Sequence, residues 1–336
     1  MIKEAINLIV QGKNLSEEEM INSMRDIMEG QATNSQIASF LTALRIKGET
    51  VEEITGAVKV MREKVTRIKA PVCTVDTCGT GGDMSRTFNI STTAAIVAAA
   101  CGVPVAKHGN RSVSSSCGSA DVLEALGIKI NLEPGKVEKC LESTGFGFMF
   151  APLFHPAMKY AIEPRREMGI RTIFNILGPL TNPAGAKRQV MGVFHNALTE
   201  KLAQVLANVG VKHAFVVYGE DGLDEITNTD KTKISELKDG KIDTYFITPE
   251  DLGIKRAEKS DLVGGNAQDN AKITIDILKG NKGPKRDIVI MNTAAALITG
   301  DKAATFQETI KIVTDAIDSG AALKKLEEII AVSNGL

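Results

Sequence analysis

Three polar stretches carry residue types that can hold an anion and a divalent cation. In the first, DTCGTGGDMSRTFNIST at 76–92, glycines 79, 81 and 82 follow directly on a β-branched run. Lacking Cβ atoms, they let the backbone approach a ligand and adopt positive φ, so their amides can cradle an anion. Asn89, Ser91 and Thr92 precede an alanine-rich run, which as a helix would offer free N–H groups and a favourable dipole to a phosphate. The same residues also describe a tight turn followed by an ordinary helix cap. The stretch has neither the Walker Lys-Ser/Thr nor the GxGxxG spacing, so it points to an anion and not to a named fold.

The second stretch, KHGNRSVSSSCGSADVLEALG at 107–127, offers Lys107, His108, Asn110, Arg111 and five serines before a helix expected to start near Ser119. Cations and hydroxyls facing a helix N-terminus suit a pyrophosphate. Read blandly, this is a solvated loop whose Lys107 and Arg111 pair with surface acids. Two such loops at the ends of successive strands favour the ligand reading, because open α/β sheets bind there. The third, YGEDGLDEIT at 218–227, brings Glu220, Asp221, Asp224 and Glu225 together. Alone it is an acidic turn; beside two anion loops, adjacent carboxylates at a strand end suit Mg²⁺ shared with a substrate phosphate. His155 reads as catalytic or as a hydrogen-bonded structural histidine, and Arg165 and Arg166 as a surface face or a fork for a carboxylate. His195 and His213, on apolar strand borders, read as structural. The Ser114–Ser116 run lacks a G-x-S-x-G elbow, which disfavours covalent catalysis.

The elements that must position these groups alternate in type. Apolar residues Ile21, Met24, Ile27, Met28, then Ile37, Phe40, Leu41, Leu44, then Val51, Ile54, Val58, Met61 keep helical spacing, with a shorter helix before them. Ser16 with Glu19 forms a capping box, and Gly30 and Gly48 close helices. From Pro71 the pattern becomes VCTVDT as strand, NISTTAAIVAAACG as helix and VPVAKHG as strand. RQVMGVF and HAFVVYG are further strands around the helix ALTEKLAQVLANVG, and KISELKDGKIDTYFI is a hairpin turning at Asp239-Gly240. Helices return after residue 303. Read from the residues, the fold is α/β, with an all-helical part over 1–70, a boundary near residue 70 and a mixed sheet beyond it; the stretch 165–185, helical at its start with a Gly/Pro-rich exit, fits either part.

Composition narrows the partners. With 336 residues, net charge −1, 43% hydrophobic and 24% charged residues and no Trp, the chain carries no broad nucleic-acid surface. Five cysteines without a CxxC pair indicate neither a disulfide framework nor a zinc site, but reduced cytoplasmic thiols. The N-terminus is too acidic for a signal peptide, and the Ala-rich run is too short for a membrane span.

Taken in order, GTGGD, FNIST, KHGNRSVSSSCGSADVLEALG, FHPAMKY and DGLDE resemble the anthranilate phosphoribosyltransferases over the whole chain. Pyrimidine nucleoside phosphorylases share the architecture, but a KHSTGG-like loop would be expected where this chain has KHGNRS. The resemblance implies a small all-helical domain (1–70 and about 165–185) hinged to a larger α/β domain (71–164 and 186–336) with a mixed, mostly parallel sheet, phosphoribosyl transfer from 5-phosphoribosyl 1-pyrophosphate to anthranilate, two Mg²⁺ ions per subunit, and a homodimer formed through the helical domain. It implies no nucleic-acid or membrane partner. Carried onto this sequence, Gly79, Gly82, Asp83, Thr87, Asn89, Ile90, Ser91, Thr92, Lys107, His108, Gly109, Asn110, Arg111, Ser112, Val113, Ser114, Ser115 and Ser119 would bind the phosphoribosyl substrate. Lys107 would stabilise charge; Ser91, Asp224 and Glu225 would serve the metals; Arg165 and Asn110, with Gly79 and His108, would hold anthranilate. A non-catalytic phosphoribosyl-binding module is the remaining alternative, disfavoured by retention of Lys107, Ser91 and both acids.

Overall fold

Four helices open the chain: α1 (Ile2–Val10), α2 (Glu17–Met28), α3 (Asn34–Lys47) and α4 (Val51–Lys64). The computed structural model describes residues 1–71, 73–83, 85–112 and 117–336. Helices α2, α3 and α4 each begin with a reciprocal capping box, Ser16/Glu19, Thr33/Gln36 and Thr50/Glu53, which satisfies N–H groups a helix leaves unpaired at its start. Their apolar stripes close on one another, with Met20, Met24, Phe40, Leu41, Leu44 and Val58 all removed from solvent. Glu53 knots the corner: its carboxylate accepts the Leu15 and Thr50 N–H groups at 2.8 Å each and pairs with Lys47 at 2.9 Å.

Seven strands follow: β1 (Val75–Gly79), β2 (Val105–Gly109), β3 (Phe146–Phe150), β4 (Arg188–Gly192), β5 (His213–Gly219), β6 (Thr232–Lys238) and β7 (Lys241–Ile247). They form one sheet in the order β3-β2-β1-β4-β5-β6-β7. The first five are parallel; β6 and β7 add an antiparallel hairpin turning at Asp239 (φ 47°) and Gly240 (φ 84°), as the Asp-Gly pair requires. The strand order reverses at β1, with β2 on one side and β4 on the other. The crevice beyond the carboxyl ends of β1, β2 and β4 is therefore where such a sheet accepts a ligand. Helix α5 (Ile90–Ala100) connects β1 to β2 and is buried almost all round.

Several elements depart from the sequence reading. The first strand is displaced from 72–77 to 75–79, because Thr74 turns back onto Pro71 through its N–H (3.1 Å) and hydroxyl (2.6 Å), while Cys78 and Gly79 pair with Met191 and Gly192. Strand β3 and the helices Pro134–Thr144, Ala267–Leu278 and Pro284–Thr299 were not expected. The last is buried at every position from Ile288 to Thr299, so its apolar residues show no one-sided period. The helix Lys159–Met168 leans on the bundle, where Asn34 Nδ2 donates to Glu163 at 3.0 Å and Tyr160 packs over Gly30. Among the described residues, no helix is long and apolar enough to cross a membrane.

Candidate active site

The glycine loop leaves β1 at the switch point, and each glycine has a visible reason. A Cβ on Gly79 would collide with the Asp224 carboxylate, and Gly81 and Gly82 hold φ of 64° and 75°. The Gly81 N–H donates to Asp224 Oδ2 at 2.8 Å, and the Ser91 N–H, in the first turn of α5, donates to Glu225 Oε1 at 3.1 Å. The acidic turn after β5 is thus docked against both ends of the 79–91 segment. Three of its acids divide: Asp221 is consumed in closing the turn, accepting from Thr227 Oγ1 (2.7 Å) and from the Thr229 hydroxyl, while Asp224 and Glu225 meet the loop.

Electrostatics mark the same spot. Burial, reinforced by Asp83, pushes Asp224 up to about 7; burial, reinforced by Asp224, raises Glu225 well above the usual carboxylate range. Among the described residues neither has a cationic side chain within salt-bridge distance, and Lys107 acts on Glu225 only through its field. Oxygen donors in such surroundings gain from a hard divalent cation, so these residues fit Mg²⁺. Lys107, 1% exposed, lies beneath the loop and donates to the Thr77 carbonyl at 2.5 Å and to Ser91 Oγ at 3.4 Å. Burial lowers its pKa, opposed by Asp76, Cys78 and Glu225. Asp76 is fully buried and pushed up to about 6 by burial, against the pull of Lys107; it accepts from Asn182 Nδ2 at 2.7 Å and from the His108 N–H at 3.3 Å.

The other expected contacts fall into place unevenly. Asp83 accepts from Ser85 Oγ at 2.5 Å, and Thr87 lies within 3.3 Å of the same hydroxyl. Asn89 Nδ2 donates to the Cys117 carbonyl at 3.2 Å. Ile90 packs in the hydrophobic core, and Thr92, in the first turn of α5, is buried as well. Gly109 backs directly onto Ser119, whose hydroxyl donates to the Asn110 carbonyl at 3.3 Å, and the Ser112 N–H donates to Asp121 at 3.1 Å. Arg111 is engaged in the way the bland reading anticipated, bridging Asp121 and Glu124 at 2.9 Å each. Val113, Ser114 and Ser115 lie outside the described residues.

A second cavity, about 330 Å³, opens beside the end of β2 and is walled by His108, Asn110, His155, Ile162, Arg165 and Phe174. Arg165 is half-buried, its guanidinium 5.1 Å from the Phe174 ring, and burial lowers its pKa. Among the described residues no carboxylate pairs with it. His108 and His155 meet Nε2 to Nε2 at 3.1 Å, with His108 Nδ1 3.2 Å from the Gly178 carbonyl. A carbonyl only accepts, so Nδ1 of His108 carries the proton, its Nε2 accepts, and His155 Nε2 donates. Burial pushes His108 down to about 3 and His155 to about 4, so both rings are neutral. Asp76, Asn182, Phe174 and Arg171, whose guanidinium meets the Gly82 carbonyl and lies 4.7 Å from the Phe194 ring, escaped sequence reasoning. An aspartate in the strand run VDT was the one signal available.

Residues 3–65 match the glycosyl transferase family helical bundle domain and residues 72–323 the a/b domain of the same family. Anthranilate phosphoribosyltransferase of Acetivibrio thermocellus is 58% identical over 99% of this chain and 97% of its own length. The chain belongs to the anthranilate phosphoribosyltransferase family. Among solved members of that family, the Thermus thermophilus enzyme superposes with a TM-score of 0.93 at 40% identity, covering 98% of this chain and 99% of its own. The Saccharomyces cerevisiae enzyme, in complex with PRPP and Mg, gives 0.91 at 29% identity over 100% of this chain and 98% of its own. The same yeast enzyme is also known in complex with 4-fluoroanthranilate.

Proposed function

We infer that this chain moves the phosphoribosyl group of 5-phosphoribosyl 1-pyrophosphate onto the amine of anthranilate, releasing N-(5-phosphoribosyl)anthranilate and pyrophosphate. The observation that carries this reading is the half-buried, unpaired Arg165 guanidinium in a cavity shared with Asn110, one strand end away from the glycine loop. A planar fork without a counter-ion suits a ring carboxylate. The glycine loop, the start of α5 and the Lys107–Ser119 loop are assigned to the phosphoribosyl substrate, and Ser91, Asp224 and Glu225 to two Mg²⁺ ions. Bound there, Mg²⁺ would neutralise the charge building on the leaving pyrophosphate. The chain's own residues supply the rest. Lys107 holds a fixed positive field under the loop and fixes the Ser91 hydroxyl. Arg165 and Asn110 orient the acceptor, so that much of the acceleration comes from placing the amine near C1. Anthranilate's amine is neutral near pH 7, and the neutral histidine pair fits a site that needs no strong base.

Residues 1–70 with about 165–185 are assigned to a helical unit that closes against the α/β part; the packing of helix Lys159–Met168 on α3 supports this and suggests that the segment begins somewhat before 165. A homodimer through the helical unit is supported by an apolar groove between α1 and α3 lined by Ile9, Val10, Ala38, Ala43 and Ile46, of which Val10 is 64% and Ile46 82% exposed. The free thiols of Cys73, Cys78, Cys101 and Cys140 accord with a cytoplasmic setting. The deciding experiment mixes protein, Mg²⁺, 5-phosphoribosyl 1-pyrophosphate and anthranilate and follows loss of anthranilate fluorescence. No loss, with phosphorolysis of a pyrimidine nucleoside instead, would transfer the chain to the phosphorylase reading.

A further inference from the structure

On the far side of the sheet from the catalytic crevice, a cavity of about 750 Å³ is walled by Lys59, Arg62 and Arg67 from the end of the bundle and by Asn182, Gly185 and Lys187 from the segment leading into β4. Lys187 and Lys212 directly precede β4 and β5, at the amino ends of strands whose carboxyl ends face the substrates. The 5 residues of β4, at about 3.3 Å each, put roughly 16 Å between the two sites. The wall is basic and poorly compensated. Its one acid, Glu63, is already taken by Arg25 (2.9 Å) and Lys64 (3.4 Å), and Lys59 by Glu17 (2.5 Å). Among the described residues no carboxylate pairs with Arg67, Lys187 or Lys212.

Arg62 braces the floor, donating from Nε to the Leu180 carbonyl (2.8 Å) and from Nη1 to the Val209 carbonyl (3.0 Å). Those carbonyls do not neutralise its charge: burial, with Arg67 adding to it, lowers Arg62 to about 10. Burial and then Arg62, Lys212 and Arg67 likewise hold Lys187 below its ordinary value. Cations crowded without an acid are destabilising unless an anion joins them.

We propose that this cavity is a binding site, separate from the catalytic crevice, for a doubly charged phosphate group, free or carried by a small metabolite. Arg67, whose Nη2 donates to the Arg62 carbonyl at 3.1 Å, supplies a planar fork, and Lys187 lines the same cavity with a mobile point charge, a pairing suited to tetrahedral oxyanions. Because the two walls belong to the bundle and to the segment entering β4, the bound anion bridges the two parts of the molecule. Asn182, on the same wall, is also the residue that holds Asp76 under Lys107.

The test is equilibrium dialysis with labelled inorganic phosphate, and in a second arm ribose 5-phosphate, on the full-length protein and on Arg67→Gln/Lys187→Gln. Both side chains are exposed and lie outside the catalytic machinery, so the variant should keep wild-type turnover in phosphate-free buffer. The expected result is loss of one bound phosphate per chain in the variant, with selenate soaked into wild-type crystals giving an anomalous peak between Arg67 and Lys187. Tighter binding of the ester than of the free ion would assign the natural ligand as a metabolite, equal binding as phosphate itself. Equal stoichiometry in variant and wild type, or no selenate between those side chains, would overturn the proposal.

Discussion

Replacing Arg165 with alanine separates a binding role from a structural one, because the guanidinium has no counter-ion to lose. In the free protein it is half-buried, its pKa lowered by burial, and its neighbour is the Phe174 ring at 5.1 Å. Deleting it forfeits a cation–π contact of about 0.5–1 kcal/mol and relieves an unpaired, partly desolvated charge, so the net change in folding stability should lie within about 1 kcal/mol. The acceptor complex has more to lose. A charge-assisted hydrogen bond to the ring carboxylate contributes about 1.5–3 kcal/mol, which raises the anthranilate KM roughly 10- to 150-fold. The KM for 5-phosphoribosyl 1-pyrophosphate should stay within about 2-fold, since Arg165 lines the separate cavity beside His108, Asn110 and Phe174. Steady-state fluorescence with each substrate varied in turn measures both, and urea unfolding measures stability. An amine acceptor lacking the carboxylate completes a double-mutant cycle: wild type should discriminate against it strongly and Arg165→Ala hardly at all. Equal increases in both KM values, or unchanged discrimination, would refute the assignment.

Three further outcomes follow from the same structure. Burial raises the folded-state pKa of Asp224 from 3.8 to about 7, so the metal-free protein should be most stable below pH 4 on this account, lose that increment as pH rises through 7, and regain stability with Mg²⁺; calorimetric scans across pH check this, and Asp224→Asn/Glu225→Gln should flatten the dependence and abolish Mg²⁺-dependent turnover while staying folded. Glu53→Ala strands the Leu15 and Thr50 N–H groups and the Lys47 charge, costing about 3–5 kcal/mol by chemical denaturation. Ile46→Asp, 82% exposed in the α1/α3 groove, should give a folded monomer by light scattering, whereas Phe40→Asp, with no exposure, should unfold the bundle.

The sequence by itself determined what is encoded over short spans. Helical spacing and the Ser16/Glu19 box announce the bundle, Asp239-Gly240 the hairpin, and glycines 79, 81 and 82 a tight turn at the end of a strand, because caps, turns and periodicity depend on residues within a turn or two of each other. The ordered motifs sufficed for the family. Composition could not reveal the helix Pro284–Thr299, whose uniform burial erases the period that marks a helix. Tertiary structure alone decided which charges are paired: Arg111 closes on Asp121 and Glu124, whereas Arg165 keeps its fork free in a cavity. It also set the protonation states of His108 and His155, 47 residues apart, and of Asp76, held by Asn182 from 106 residues away. Ser91 meets Glu225 across 134 residues. A pKa shift or a buried ion pair arises from desolvation and from neighbours contributed by distant segments, so it exists only once the chain has closed.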